Sequence, residues 1–163
     1  TYIVYFVFIS LYILMSSKKS WGNATWYLIH TLAYKINDDN HICELTKQIY
    51  QVCDNLPCIE CRDHAILLLS KNNIKNIKSK QQLILFLLNF HNTINDKLGK
   101  PKFTIEENNQ MYSRGNTIKI IKNYMEMMKH QNYNEKALIH SYRRKQFIAK
   151  LQEYLKVNIH KYN

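Results

Sequence analysis

Apolar residues recur along this chain at spacings of three and four, and strictly alternating stretches are scarce, so the pattern predicts helices from end to end. From Ser20 to about Ile36, Gly22, Trp26, Ile29, His30 and Ala33 fall on one face. A second helix is expected from about Ile42 to Asn55, with Ile42, Leu45, Ile49 and Val52 inward. A third should open near Pro57, because proline suits a first turn whose N–H groups go unpaired anyway, and run through Leu69. Asn72 to Lys80 reads as a polar loop. A long helix from about Ser79 to Leu98 sets Ile84, Leu87, Leu88, His91, Ile94, Asn95 and Leu98 on one stripe. Thr104-Ile105-Glu106-Glu107 has the pattern of a capping box and opens a short helix that Gly115 could close. One or two further helices are expected after residue 115, where Tyr142, Phe147, Ile148, Leu151, Tyr154, Leu155 and Ile159 form an amphipathic stripe.

Composition sharpens this to an all-α chain. Only three glycines and two prolines occur in 163 residues, too few for the turns of a many-stranded sheet. The same scarcity leaves no Gly-x-Gly-x-x-Gly and no phosphate-binding Gly-x-x-x-x-Gly-Lys-Ser/Thr, so a nucleotide would need another device. With 46% apolar residues the chain can bury a core. It divides into residues 1–19, 20–115 and 116–163. Residues 2–15 are apolar except for Ser10, yet 14 helical residues reach only about 21 Å against a hydrocarbon core of about 30 Å. This run could be a membrane anchor, a signal-peptide remnant or an extra packed helix; Lys18 and Lys19 would keep the domain after an anchor on the cytoplasmic side. Residues 116–163 hold ten Lys or Arg against three Glu, which suits either a docking or membrane-surface helix or a solvated face over an extra core layer. The net charge of +11 would also suit nucleic acid, but charge alone is a weak pointer to it. Ile, Lys and Asn are abundant, as in proteins encoded by AT-rich genomes.

Candidate chemistry centres on Cys58-Ile59-Glu60-Cys61. Thiols on the first turn of a helix face unpaired N–H groups that favour the thiolate, the reactive form, and a Cys-x-x-Cys can close a small, labile disulfide. Zinc would need two more ligands; His64 could add a third and His91 could be recruited, but no second metal-binding motif is present. A thioredoxin-like domain would need βαβ units that the pattern does not offer. His91 and Asn95, spaced i, i+4, interrupt an apolar stripe, and Trp26 and His30 repeat that arrangement on the first helix. Each pair alone reads as core. Together, on helices that can pack around a redox pair, they suggest a flat aromatic cofactor held between helices.

Three stretches then stand in register: Trp21-Gly22-Asn23-Ala24-Thr25-Trp26-Tyr27-Leu28-Ile29-His30, Pro57-Cys58-Ile59-Glu60-Cys61, and His91-Asn92-Thr93-Ile94-Asn95-Asp96-Lys97-Leu98-Gly99-Lys100-Pro101. In order and spacing they resemble the signatures of the Erv/ALR FAD-linked sulfhydryl oxidases, over about Ser20 to Gly115. The resemblance implies a four-helix bundle that binds FAD, a fifth short helix, a homodimer, and oxidation of dithiols by O2. It makes Cys61 the thiol beside the flavin and Cys58 the one that meets the substrate. Gly22, Trp26, His30, His91, Asn92, Asn95 and Lys97 would line FAD, with Lys97 or Lys100 near its phosphates.

This chain departs from the family pattern in three ways. No cysteine flanks the His91 motif to form the family's structural disulfide. Tyr34 stands one position early for the usual tyrosine, whose place Lys35 takes. No second Cys-x-x-Cys exists to shuttle electrons, and Cys43 and Cys53, about 15 Å apart if on one helix, cannot pair. These absences, with the codon bias, resemble the small oxidases of large cytoplasmic DNA viruses. That implies a thioredoxin- or glutaredoxin-like partner and work in the host cytoplasm or virion, on membrane proteins facing the cytosol. The competing reading is a non-enzymatic basic helical adaptor with a structural or zinc-bound Cys-x-x-Cys.

Overall fold

The computed structural model describes the backbone of residues 2–129 and 138–163 and the side chains of residues 19–129 and 138–163. Seven α-helices lie among the described residues: α1 (Tyr2–Lys35), α2 (Ile42–Asp54), α3 (Ile59–Lys71), α4 (Lys80–Lys97), α5 (Ile105–Tyr112), α6 (Thr117–Lys129) and α7 (Leu138–Asn158). The expected start at Ser20 is not a start. α1 runs unbroken through Ser16-Ser17-Lys18-Lys19, because neither serine nor lysine breaks a helix as proline does. Among the described residues no helix is long and apolar enough to cross a membrane. The apolar side chains of residues 2–15, on which the membrane expectation rests, lie outside the described residues.

α1 is the spine against which α2, α4, α5 and α6 pack. Its Leu28, Ile29, Leu32 and Ala33, and Ile36 just past its end, are buried, as an i, i+3, i+4 stripe requires. α4 runs antiparallel to it: the Lys80 ammonium donates to the Ile36 carbonyl at 3.0 Å, while His91, three turns on, meets His30 and Trp26. Ser79 caps α4 by accepting from the Gln82 N–H, and Thr104 and Glu107 form the expected capping box on α5. The segment between α3 and α4 is less polar in role than in composition. It holds a short 3₁₀ turn at Ile74–Asn76, entered through Asn73 at φ 55°, and buries Ile74 and Ile77. Asparagine enters the left-handed region more readily than most side chains.

The basic C-terminal stretch completes the same core. Tyr124, Met125 and Met128 of α6 and Ile148, Leu151 and Leu155 of α7 are buried in one cluster with α1 and α2. The chain end is strapped to the end of α1: the Asn37 N–H donates to the Lys161 carbonyl at 3.0 Å, and Tyr162, fully buried, bridges Ile36. Lys161 also pairs with Glu44 at 3.2 Å. Gly115 lets α6 close on α1, since a Cβ there would lie 2.6 Å from Ile120 Cδ1 and 3.2 Å from Thr31 Oγ1. Two expected core positions are corrected. Leu98 and Tyr142 are 59% and 56% exposed, because Leu98 follows the last turn of α4 and Tyr142 lies on the outer side of α7.

Candidate active site

The turn between α2 and α3 presents a disulfide joining Cys58 to Cys61, with 5.2 Å between their Cα atoms. Cys58 is the N-cap of α3: its backbone is extended and its Sγ accepts from the Cys61 N–H at 3.2 Å. A thiolate released at Cys58 would therefore meet that donor and the positive end of α3. Arg62 staples the turn from behind. Its guanidinium donates to the Asp54 carbonyl oxygen and Oδ1 at 2.9 Å and to Asp63 at 2.8 Å, so the end of α2 and the start of α3 move as one unit. Both redox cysteines are partly exposed and open to a visiting thiol. Cys43 and Cys53 are free; Cys43 is exposed, whereas burial pushes the Cys53 thiol up to about 12, leaving it protonated and unreactive.

Between α1, α4 and α5 lies an aromatic and imidazole cluster. Trp26 stacks on His91 with ring centres 3.8 Å apart, and Tyr112 stacks on His30 at 4.3 Å. His91 Nδ1 and His30 Nε2 share one hydrogen bond at 3.3 Å. Whichever ring donates, His30 Nδ1 remains buried without a partner. Burial holds His30 well below 6.5, with His91 adding to the effect, and burial followed by the Lys100 charge pushes His91 down to about 4. Both rings are neutral at pH 7. Among the described residues, Asn108 Oδ1 is likewise buried without a hydrogen-bond partner, as is Thr31 Oγ1 on the side of α1 that meets α6. Each such atom costs roughly 1–3 kcal/mol, and His30 Nδ1 is a strong reason to expect a ligand with polar edges beside these rings.

The other expected residues surround this cluster in different ways. Asn92 forms a two-bond clamp on Phe103, donating to its carbonyl and accepting from its N–H at 2.8 Å each. Asn95 is buried and donates to the Pro101 carbonyl at 3.1 Å. These amides therefore shape the loop after α4, while Lys97 and Lys100 stand exposed on that same end. Partial burial and, after it, the Lys97 charge hold the His64 imidazole, one turn beyond Cys61, below its ordinary value. Gly22 faces open space, with nothing within 4 Å of a Cβ built on it.

Tyr112 escapes the sequence reading, and so do the contacts of Tyr34. Tyr112 lies one turn after buried Asn108, and the period of α5 could have placed both inward. Tyr34, out of register for its family position, ties α1 to α5 by donating to Asn109 and accepting from Asn108 at 2.9 Å.

Comparison with known proteins agrees with this geometry. The Erv1 / Alr family profile matches residues 23–113, over half of the chain. A protein of Invertebrate iridescent virus 3 is 36% identical over 98 residues, covering 58% of this chain and 66% of that relative. A Fowlpox virus protein is 31% identical over 76 residues, 47% of this chain and 79% of its own length. A protein of Arabidopsis thaliana is 32% identical over 93 residues, 55% of this chain and 48% of its own length. All three carry FAD-linked sulfhydryl oxidase in their names. No solved structure matches significantly. The matched span holds both the Cys58–Cys61 disulfide and the Trp26–His30–His91 cluster, and the chain belongs to the Erv1/Alr family.

Proposed function

We propose that this chain is a FAD-dependent thiol oxidase, in which Cys58 and Cys61 exchange with a dithiol substrate and Trp26, His30, His91 and their neighbours hold the flavin. The observation that carries the reading is the joint presence of a partly exposed Cys-x-x-Cys disulfide at a helix N-terminus and a buried aromatic shelf with an unpaired imidazole nitrogen, His30 Nδ1. A flat heteroaromatic ring with polar edges fits such a shelf. Trp26, His30, His91 and Asn95 would hold it, Asn92 would fix the loop that closes on it, Gly22 leaves room, and Lys97 and Lys100 offset pyrophosphate charge.

In the reductive half, a substrate thiolate attacks Cys58 Sγ, the Cys58–Cys61 bond breaks, and Cys61 leaves with the electron pair as a thiolate. The second substrate thiolate attacks the substrate sulfur of the mixed disulfide and expels Cys58, whose thiolate is received by the Cys61 N–H. The substrate loses two electrons and two protons; the pair gains the electrons. FAD, when bound, supplies the two-electron acceptor chemistry that returns the pair to the disulfide and delivers the electrons to O2 as H2O2. Neutral His30 and His91 keep that site free of extra positive charge, and Arg62 ties the disulfide turn to the end of α2.

The dithiol donor is proposed to be a thioredoxin- or glutaredoxin-like protein, since no second Cys-x-x-Cys occurs in this chain. The iridovirus and fowlpox relatives support a viral setting in the host cytoplasm or virion. A homodimer is proposed on family grounds, and membrane association on the apolar run at residues 2–15. The adaptor reading fares worse. The two sulfurs that would ligate zinc are bonded to each other, and among the described residues no group of three or more His, Cys, Asp or Glu gathers around a candidate metal position. Oxygen uptake with a small dithiol separates the readings. Wild-type protein should consume O2 and form H2O2, and Cys58→Ala and Cys61→Ala should each lose at least about 100-fold in kcat/KM; unchanged turnover in both variants would refute the assignment.

A further inference from the structure

Asn55 closes α2, and Leu56-Pro57 carries the backbone from there to Cys58, the N-cap of α3. Pro57 has no N–H, so a hydrogen bond can hold the peptide between Leu56 and Pro57 only through its carbonyl. That carbonyl is taken by His140, on the first turn of α7, at 2.8 Å and across 84 residues. A carbonyl can only accept, so Nε2 carries the proton and donates. His140 lies beyond residue 113, where the match to the family profile ends, so the contact belongs to the C-terminal stretch of this chain.

The turn is thus held at two levels. Arg62 joins its ends by donating to Asp54, and His140 holds its middle. The imidazole is presented from a firm base, since Ile148, Leu151 and Leu155 further along the same helix are buried in the common core. Once the Leu56 carbonyl is fixed, few torsions remain before the reactive sulfur. The proline ring locks φ of Pro57 near about −65°, which leaves ψ of Pro57 and φ of Cys58 to set where Sγ points. A thiolate attacks a disulfide sulfur in line with the bond it breaks, so the direction of the Cys58–Cys61 bond decides how many encounters are productive. We infer that His140 is a positioning residue for the redox turn: by holding the Leu56 carbonyl it aims the Cys58–Cys61 bond at the incoming thiolate. This role rests on the oxidase reading for the thiol that arrives at Cys58, but it can be tested without flavin turnover. It also gives the C-terminal stretch a part in the exchange step beyond covering the core.

The test compares wild type with His140→Phe, which keeps a flat ring but cannot donate, and His140→Gln, whose amide N–H can stand in for Nε2. Each full chain, as purified, is reduced anaerobically with excess dithiothreitol and alkylated at intervals. Mass spectrometry then follows the loss of the Cys58–Cys61 disulfide, and urea unfolding is read alongside. His140→Phe should be reduced at least about fivefold more slowly than wild type with its urea midpoint little changed, and His140→Gln should recover most of the lost rate. An unchanged or faster rate in His140→Phe would overturn the inference. So would equal slowing in both variants, which would assign the effect to packing of the ring and not to its donor. Oxygen uptake with the same dithiol separates this outcome from that of the oxidase reading. Slow reduction in His140→Phe, rescued in His140→Gln, with no O2 uptake by any of the three proteins would keep the role of His140 and refute the oxidase. A wild-type rate of reduction in His140→Phe with O2 uptake intact would keep the oxidase and refute the role of His140.

Discussion

The side of α1 that meets α4 and α5 differs in kind from the side that α6 and α7 cover. The first holds Trp26, His30 and His91, two buried neutral imidazoles and an unpaired ring nitrogen. The second is mostly apolar, with Met125, Met128, Leu151 and Leu155 filling the space, and its described unpaired polar atoms are the hydroxyls of Tyr124 and, where α6 closes on α1, Thr31. One face gives up stability to keep polar atoms ready for a ligand, and the other restores it, the division expected when a binding site and a core share one helix.

Leu151→Ala empties a position 1% exposed in the C-terminal cover and should cost about 2–5 kcal/mol in urea unfolding, with flavin retained by the folded fraction. Flavin loss without destabilisation would erase the distinction between the faces. Acid should act on the other side. Since His91 is held at about 4 against 6.5, and His30 is lowered too, the unfolded chain takes up protons that the folded one refuses. Stability is therefore fully present above pH 6.5 and is lost as pH falls towards 4, by about 3 kcal/mol from His91 alone. Thermal melts of flavin-free protein across that window check it, and a His91→Gln variant should flatten the slope.

Much of the polar face was legible beforehand. His91 and Asn95 interrupt an apolar stripe at i, i+4, Trp26 and His30 do the same, and a motif of this kind announces itself because buried polar groups are rare. Local signals such as the Thr104 capping box could be read for the same reason: donor and acceptor lie three residues apart. The cover was less legible. A basic, amphipathic helix looks alike whether it floats, docks or packs, and only the tertiary partners of Leu151 and Tyr162 decide. Nor could spacing reveal that Asn92 clamps Phe103, that Tyr34 ties α1 to α5, or that His140 reaches Leu56 across 84 residues.

Gly115→Ala should cost about 1–3 kcal/mol, because the added methyl pushes Ile120 and Thr31 where α6 closes on α1. A neutral result in chemical unfolding would show that Ile120 simply swings aside. Tyr124→Phe removes an unpaired buried hydroxyl from the cover and should leave stability unchanged or raise it by up to about 1 kcal/mol.

Whether the α1–α4 cluster holds a flavin in electronic contact with Cys58–Cys61 is read from the visible spectrum of the purified protein during anaerobic addition of a dithiol. The protein should be yellow, and its flavin bands should bleach in proportion to dithiol added and return on admitting O2, with bleaching abolished in Cys61→Ala. A colourless protein that FAD does not reconstitute, or a flavin that bleaches equally fast without Cys61, would contradict that arrangement.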